Sequence, residues 1–303
     1  MADLRVNVAG VEFHNPLIAA SGTFGFGREY AEFYPLSTLG GISSKGITLA
    51  ARPGNPAPRI AEAPGGMLNA VGLQNPGVDH FIEKDLPWLR EQGTRIIANI
   101  AGNTPEDYCA MAEKLNETDI NMIEMNISCP NVKQGGVQFG TSAEGVFGIT
   151  KAVREHCTKP LMVKLSPNVT DISEMALAAE SAGADAISMI NTLTGMRIDI
   201  NTKRPIIHNN TGGFSGPALL PIAVRMVWQT YSKVKIPIVG LGGISTWQDA
   251  VEMLLAGATA LQIGTVLFTD PYAPVKIVEG LTQYMEKNGV KSLSELTGAM
   301  RPW

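Results

Sequence analysis

The sequence predicts an α/β fold, specifically a (β/α)8 barrel, because eight short apolar segments alternate with longer amphipathic segments along the chain. The short segments are apolar throughout, which fits strands buried on both faces of a parallel sheet. The longer segments have helical spacing, and two of them begin with helix-start signals at residues 104–107 and 245–249. The length of 303 residues suits one barrel domain that spans residues 1–303.

The predicted elements follow one another in the order strand, then helix. The eight strands are predicted at residues 17–20, 41–44, 95–100, 122–127, 161–165, 186–190, 236–240 and 260–263. The helices are predicted at residues 79–92, 105–116, 143–156, 172–182, 217–231, 246–256 and 271–287. The first unit has the weakest pattern, since its helix would have to come from the short stretch 28–34.

Two regions go beyond a bare barrel. Residues 4–13 alternate in polarity about a glycine turn, which predicts an N-terminal β-hairpin that closes the bottom of the barrel. Residues 192–215 form an insertion after strand 6 that is longer than an ordinary βα loop and holds β-prone and glycine-rich pieces. Long loops at this face of a barrel usually carry function.

The composition excludes several classes of function. Hydrophobic residues make up 45% of the chain and charged residues 17%, and the net charge is −4 without a run of lysine or arginine. This argues against binding to nucleic acid or to a membrane surface. The three scattered cysteines predict a reducing compartment and no disulfide framework. With no signal peptide, membrane span or metal-ligand cluster in the pattern, we expect a cytoplasmic protein without a metal site.

The most informative stretch is residues 126–131, Asn-Ile-Ser-Cys-Pro-Asn, which follows the apolar run 122–125 and precedes a glycine-rich loop at 134–140. Catalytic groups of barrel enzymes collect at the carboxyl ends of the strands. Cys129 could act there as a nucleophile or as a proton-transfer base. It could equally be a small buried hydrophobic residue, and this stretch alone leaves both readings open.

The last two strands end in a pattern typical of a phosphate site. Residues 239–244 read Val-Gly-Leu-Gly-Gly-Ile, and residues 262–266 read Gln-Ile-Gly-Thr-Val. Glycines let the backbone approach a phosphate closely, and barrels commonly bind phosphate after strands seven and eight. The pattern does not distinguish a phosphorylated substrate from FMN.

Cations and carboxamides complete the candidate site. Lys45 and Lys164 each lie in an otherwise apolar strand, where a lysine must find an anion or lose its charge. The carboxamide candidates are Asn69, Asn99, Asn126 and Asn191. Converging on one barrel mouth, they would offer donors and acceptors to a planar, amide-like ring.

These motifs together resemble those of dihydroorotate dehydrogenases over essentially the whole chain, and specifically those of the class 1B catalytic subunit. The matching motifs are residues 15–27 (NPLIAASGTFGFG), 44–48 (SKGIT), 69–77 (NAVGLQNPG), 126–131 (NISCPN), 164–168 (KLSPN), 190–192 (INT) and 242–244 (GGI). The Phe-Gly-Phe-Gly of residues 24–27 resembles class 1B, which is linked to NAD, rather than the fumarate-using class 1A. The cysteine at position 129 differs from the serine base of class 2.

The resemblance implies an FMN barrel that oxidises (S)-dihydroorotate to orotate in de novo pyrimidine (UMP) synthesis. In this interpretation Cys129 removes the C5 proton and a hydride passes from C6 to the flavin. Class 1B implies a partner subunit that carries FAD and a [2Fe–2S] cluster, in a heterotetramer of two catalytic and two partner chains. This sequence lacks the four clustered cysteines that such a cluster needs.

The resemblance also assigns roles to individual residues, with Cys129 as the catalytic base. The implied FMN contacts are Ser21, Gly22, Lys45, Gly46, Asn99, Asn126, Lys164, Ile190, Gly216, Gly242, Gly243, Gly264 and Thr265. The implied substrate contacts are Lys45, Asn69, Ala70, Val71, Gly72, Leu73, Asn126, Asn191 and Thr192. Residues 130–140 would form a lid over the cysteine.

Three other hypotheses stay open at this point. The chain could be a class 1A enzyme that reduces fumarate, or another FMN barrel that acts on a different pyrimidine or on a uridine of tRNA. It could also be a non-redox barrel that binds a phosphorylated metabolite, with Cys129 in a structural role. The visible spectrum of the protein separates the flavin hypotheses from the last one.

Overall fold

The strands of the computed structural model, which describes residues 2–128 and 139–303, are short and mostly buried. In chain order they are β1 (Val6–Val8), β2 (Val11–Phe13), β3 (Leu17–Ala19), β4 (Gly41–Ser43), β5 (Ile60–Ala63), β6 (Gly66–Asn69), β7 (Arg95–Ile100), β8 (Met122–Asn126), β9 (Leu161–Lys164), β10 (Ala186–Met189), β11 (Leu193–Gly195), β12 (Ile198–Asp199), β13 (Arg204–Pro205), β14 (Gly212–Ser215), β15 (Ile238–Leu241) and β16 (Ala260–Ile263).

Most of the helices connect successive barrel strands, and the last two follow the final strand. The α-helices are α1 (Val78–His80), α2 (Leu86–Arg90), α3 (Pro105–Asn116), α4 (Ala143–His156), α5 (Ile172–Ser181), α6 (Leu220–Tyr231), α7 (Trp247–Ala256), α8 (Val266–Thr269) and α9 (Ala273–Asn288). A π-helical turn, Phe81–Asp85, joins α1 to α2, and short 3-10 helices occur at Tyr30–Glu32, Leu36–Thr38, Pro217–Leu219 and Leu293–Glu295. None of the helices in the described part of the chain is long and apolar enough to cross a membrane.

Eight parallel strands close into a barrel in the order β3-β4-β7-β8-β9-β10-β15-β16, which confirms the predicted (β/α)8 fold. The last strand returns to the first, with Leu261 opposite Leu17. The seventh strand begins at Ile238, two residues later than predicted. The reason is Pro237, which has no N–H to donate to a neighbouring strand.

The first strand–helix unit differs from the prediction. An α-helix was expected over residues 28–34, but the chain forms only the 3-10 turns Tyr30–Glu32 and Leu36–Thr38. Pro35 lies between the two turns and cannot donate the hydrogen bond that a continuous helix would need.

The predicted N-terminal hairpin is present and covers the bottom of the barrel. β1 pairs with β2 in antiparallel fashion through a turn at Ala9 and Gly10, both of which have positive φ. The Phe13 ring is fully buried and lies against Gly41, the first residue of β4. A side chain at Gly41 would place its Cβ 2.8 Å from that ring, so the close approach requires glycine.

A four-stranded antiparallel sheet, in the order β11-β14-β6-β5, is built from two separate insertions. β11 and β14 come from the insertion predicted after the sixth barrel strand. The hairpin β5–β6 comes from the segment between β4 and β7, where no strand was predicted. The two insertions pair directly, with Asn69 of β6 opposite Gly213 of β14.

Candidate active site

A cleft opens at the carboxyl ends of the barrel strands and brings together nearly all of the predicted site residues. Those that line it are Ser21, Gly22, Lys45, Gly46, Asn69, Val71, Gly72, Leu73, Asn99, Asn126, Lys164, Ile190, Asn191, Thr192, Gly216, Gly242, Gly243, Gly264 and Thr265. Ala70 does not line it, because its methyl group packs with Leu68 and Ile207 in a small separate cluster. Cys129, the predicted base, lies outside the described residues, as does most of the predicted lid.

Beneath the cleft, a carboxylate that the sequence analysis did not identify lies at the centre of the barrel. Glu124 of β8 is completely buried, and four side chains donate hydrogen bonds to its two oxygens. The four donors, each from a different barrel strand, are Ser43 Oγ at 2.5 Å, Asn99 Nδ2 at 2.6 Å, Ser188 Oγ at 2.7 Å and Gln262 Nε2 at 2.8 Å. We call this group, together with Lys164, the barrel floor.

The barrel floor holds a buried ion pair. Lys164 of β9 is 4% exposed, and its Nζ lies 4.0 Å from Oε1 of Glu124. Burial raises the pKa of the Glu124 carboxyl, but Lys164 and the hydrogen bonds from neighbouring side chains together lower the pKa more, so the net shift is downward. Glu124 is therefore ionised at neutral pH.

In the Asn99 side chain, the amide nitrogen bonds to the barrel floor and the amide oxygen has no hydrogen-bond partner among the described residues. Its Nδ2 donates to Glu124, whereas its Oδ1 is buried and has no hydrogen-bond partner among the described residues. A Cβ added to Gly46, which lines the same cleft, would lie 3.2 Å from this Oδ1. A buried acceptor without a donor is costly, so the atom is well placed to accept a hydrogen bond from a bound ligand.

Beside the floor, a cluster of polar side chains follows the end of β8. Oδ1 of Asn126 accepts hydrogen bonds from the backbone N–H and the hydroxyl of Ser128, at 3.2 Å and 3.1 Å. Nδ2 of Asn191 donates to Ser128 Oγ at 2.6 Å and reaches Asn126 Oδ1 at 3.3 Å. This cluster directly precedes Cys129 in the sequence. The predicted substrate contacts Asn126 and Asn191 are thereby brought together beside the end of β8.

The four-stranded sheet, which we call the sheet wall, carries the predicted substrate contact Asn69 at the end of β6. Asn69 Nδ2 donates to the carbonyl oxygen of Gly213 at 3.4 Å. A Cβ on Gly213 would collide with the Thr192 side chain, so glycine at this position allows the sheet to pack against Thr192. The sheet wall thus brings Asn69 and Thr192 to the same cleft from two insertions.

The predicted phosphate pattern also lies at the cleft. Gly242 and Gly243 have φ values of 123° and 82°, and Gly216 has a φ of 127°. A Cβ on Gly243 would collide with the backbone nitrogen of Leu220, at the start of α6. Thr265 Oγ1 donates to Ser215 Oγ at 2.8 Å, which joins the end of β16 to the sheet wall.

Several residues of the site were missed by sequence reasoning. The missed floor residues are Ser43, Glu124, Ser188 and Gln262, and the missed lining residues include Ile60, Met67, Ser215 and Phe268. Glu124 had a usable signal, because it is a charged residue within the apolar run 122–125 and the same argument had identified Lys164. The serines carry no such signal, since serine is common in every kind of structure.

Comparison with known proteins gives a consistent result. The family model for dihydroorotate dehydrogenase matches residues 3–285 of the chain. Three similar proteins each bear the name dihydroorotate dehydrogenase B (NAD(+)), catalytic subunit. That of Petrotoga mobilis is 53% identical over 298 residues, 98% of this chain and 99% of that protein. That of Alkaliphilus metalliredigens is 55% identical with the same coverage, and that of Bacteroides thetaiotaomicron is 55% identical over 301 residues, 99% of each chain.

Proposed function

The chain belongs to the dihydroorotate dehydrogenase family, and we propose that it is the catalytic subunit of an NAD-linked dihydroorotate dehydrogenase. In this role it oxidises (S)-dihydroorotate to orotate in de novo pyrimidine synthesis, in the cytoplasm, as one FMN-binding barrel domain. The observation that carries the proposal is that lysines, carboxamides and a glycine-rich strand end line one cleft at the barrel mouth.

The described residues fit FMN as the cofactor. The unpartnered Oδ1 of Asn99 is a buried acceptor that suits an imide N–H of a flavin ring. Lys164, which pairs with the same Glu124 carboxylate, offers a buried positive charge, and Gly242 and Gly243 permit close approach of a phosphate. Further FMN contacts are proposed at the predicted positions that line the cleft. FMN, when bound, supplies the acceptor for the hydride that leaves C6 of the substrate.

The chain itself supplies the groups that bind the substrate and move its proton. We propose that Cys129 removes the proton from C5 of dihydroorotate, since it follows the cluster of Asn126 and Ser128 at the end of β8. Asn69, Asn126 and Asn191 orient the pyrimidine ring through its amide groups. Lys45, which lines the cleft, binds the substrate carboxylate.

Lys164 is proposed to act on the cofactor rather than on the substrate. Its ammonium group is buried, so its electrostatic effect on a bound flavin is stronger than it would be in water. A positive charge that faces the flavin favours its reduction and strengthens its binding.

The electrons then leave the chain for a partner. The similar proteins are named as catalytic subunits of NAD-dependent enzymes, and we propose a partner subunit that carries FAD and a [2Fe–2S] cluster. Two catalytic chains and two partner chains would form a heterotetramer. The interface between catalytic and partner chains should be large and have an apolar core, as permanent interfaces do.

One set of assays tests the function. The purified chain is expected to show a flavin spectrum that bleaches when dihydroorotate is added without oxygen. Co-purified with its partner it should reduce NAD, and alone it should do so poorly. A colourless protein that binds a phosphorylated metabolite would refute the dehydrogenase proposal. Efficient fumarate reduction without a partner would refute the NAD-linked class but leave the dehydrogenase standing.

A further inference from the structure

Glu124 is the only described residue of the barrel floor that contacts several cleft-lining residues without lining the cleft itself. Asn99, Lys164 and Gln262 reach both Glu124 and the cleft, whereas Ser43 and Ser188 reach Glu124 alone. The two carboxylate oxygens each accept two hydrogen bonds, so the acceptor capacity of the group is used completely. Any influence of Glu124 on a ligand must therefore pass through its neighbours.

The ionised carboxylate fixes the orientation of two carboxamides. A carboxylate can only accept hydrogen bonds, so Asn99 and Gln262 must each turn an N–H group toward it. Oδ1 of Asn99 is then left as an acceptor without a partner. Oε1 of Gln262 is left facing Lys164, 3.5 Å from Nζ. A neutral, protonated Glu124 would donate at one oxygen and remove this constraint.

Glu124 also balances the charge of Lys164 without capturing it. Nζ lies 4.0 Å from the carboxylate and 3.5 Å from both Ser21 Oγ and Gln262 Oε1. Charge-assisted hydrogen bonds are usually 2.7–2.9 Å long, so these described contacts leave the ammonium able to form a shorter bond. Its charge is compensated in the protein interior, and its donors remain available to a ligand.

We propose that Glu124 is a positioning residue, which fixes the Asn99 carbonyl oxygen as an acceptor and keeps Lys164 as a charged donor for the flavin. This inference rests on the proposed function, because the ligand concerned is FMN. Glu124 does not touch the reacting atoms. It determines which atoms of the barrel floor are presented to the cofactor.

The test compares FMN binding by the full wild-type chain and by Glu124→Gln. A glutamine in this position cannot accept all four hydrogen bonds, so a neighbouring carboxamide turns over, and Lys164 loses its counter-charge. FMN affinity, measured by quenching of flavin fluorescence, is expected to fall roughly tenfold or more, the effect of one lost charge-assisted hydrogen bond. Glu279→Gln makes the same chemical change at an exposed position of α9 and serves as the matched control.

The pH profile separates positioning from a merely structural role. Glu124→Gln leaves the buried charge of Lys164 without its counter-charge, and an uncompensated buried charge is lost more readily as the pH rises. The groups around its Nζ, Ser21 and Gln262, do not titrate, and Lys45 is the other titratable residue among the described residues that line the cleft. Between pH 6 and 9, FMN affinity of Glu124→Gln relative to the control should therefore fall as the pH rises. In Glu124→Gln/Lys164→Gln this extra dependence should be absent.

A second variant keeps the inference testable if Glu124→Gln does not fold. Ser43→Ala/Ser188→Ala removes two donors from the carboxylate and leaves the cleft lining unchanged. With fewer hydrogen bonds to its charged form, Glu124 takes up a proton at higher pH, so FMN affinity should fall at the acid end of the range.

Two results would overturn the inference. Unchanged FMN affinity and pH profile in these variants would do so, and so would a loss of affinity that is equal at every pH. A wild-type chain that binds no FMN would overturn both this inference and the proposed function.

Discussion

The barrel floor and the sheet wall bound the same cleft but are held together in different ways. The floor consists of side chains that hydrogen-bond to one buried carboxylate, and both charged members are nearly or fully buried. The wall consists of main-chain pairing between two insertions, and some of its residues, such as Ile60 at 53% exposure, remain open to solvent. The floor suits groups whose positions must not vary, whereas the wall suits contacts that shape a binding site.

This difference has an energetic basis. Removing one member of a buried ion pair leaves a charge without compensation, which typically costs about 3–5 kcal/mol. Removing a half-buried hydrogen bond from the wall costs about 0.5–1.5 kcal/mol. We therefore expect substitutions along the floor strands to affect the chemistry and the cofactor, and substitutions in the wall to affect the substrate.

The largest effect is expected at Cys129, which follows the floor strand β8. Cys129→Ala should retain FMN but slow the bleaching of the flavin by dihydroorotate roughly a hundredfold or more, because a positioned base usually contributes that much. Stopped-flow absorbance without oxygen measures the rate of bleaching. Cys129→Ser should recover some activity as the pH rises, since a hydroxyl is harder to deprotonate than a thiol.

Cys109→Ala provides the matched control for this prediction. Cys109 lies on α3, where burial raises the pKa of its thiol, and it does not line the cleft. Its replacement should leave bleaching unchanged. Near wild-type bleaching by Cys129→Ala at neutral pH would show that the base lies elsewhere.

The second effect concerns Lys164, the cation of the floor. Lys164→Ala should weaken FMN binding roughly tenfold or more, lower the reduction potential of bound FMN, or both, because a buried positive charge is lost. Fluorescence titration and a spectroelectrochemical titration measure the two quantities. Lys276→Ala removes an exposed lysine that pairs with Asp270 and should change neither. If both quantities are unchanged in Lys164→Ala, the floor does not control the cofactor.

A smaller effect is expected in the sheet wall. Asn69→Ala should raise the KM for dihydroorotate about threefold to tenfold, the usual effect of one neutral hydrogen bond, and leave FMN affinity unchanged. Steady-state kinetics with an artificial electron acceptor measure this. Asn209→Ala, a change at a partly exposed asparagine in the insertion that follows β10 and outside the cleft lining, is the control. A loss of FMN affinity in Asn69→Ala would remove the distinction between wall and floor.

The same contrast explains how much could be predicted from the sequence. The barrel strands and Lys164 were predictable because a buried parallel strand leaves an apolar run in which a charge stands out. The hairpin β5–β6 was missed, since Pro56, Pro58 and Pro64 around it indicate a loop. Its pairing with β14 joins residues 144 positions apart, and no local pattern encodes such a contact.

Convergence on Glu124 was equally hidden from the sequence. Each donor is an ordinary serine, asparagine or glutamine until the barrel closes and directs four strands to one point. Residue types in the sequence therefore predicted which side chains line the cleft. The hydrogen bonds that orient those side chains could not be predicted, because they depend on the closed fold. The unpartnered Oδ1 of Asn99 can be identified only from the hydrogen bonds of the folded structure.

The smallest effect is expected outside both regions, at a helix cap of the barrel. Thr246 caps the amino terminus of α7: its hydroxyl accepts from the backbone N–H of Asp249, and the Asp249 carboxylate accepts from the backbone N–H of Thr246 at 2.8 Å. Thr246→Ala should lower the free energy of unfolding by about 1 kcal/mol, measured by urea denaturation, because one cap is lost. Thr104→Ala removes the same type of cap from α3 and should lower it equally.

The same two variants also test the cofactor site, because α7 follows the Gly242–Gly243 turn. If helix caps stabilise the barrel without ordering the cleft, FMN affinity should be unchanged in both Thr246→Ala and Thr104→Ala. A loss confined to Thr246→Ala would extend the ordered part of the site from the floor to this helix.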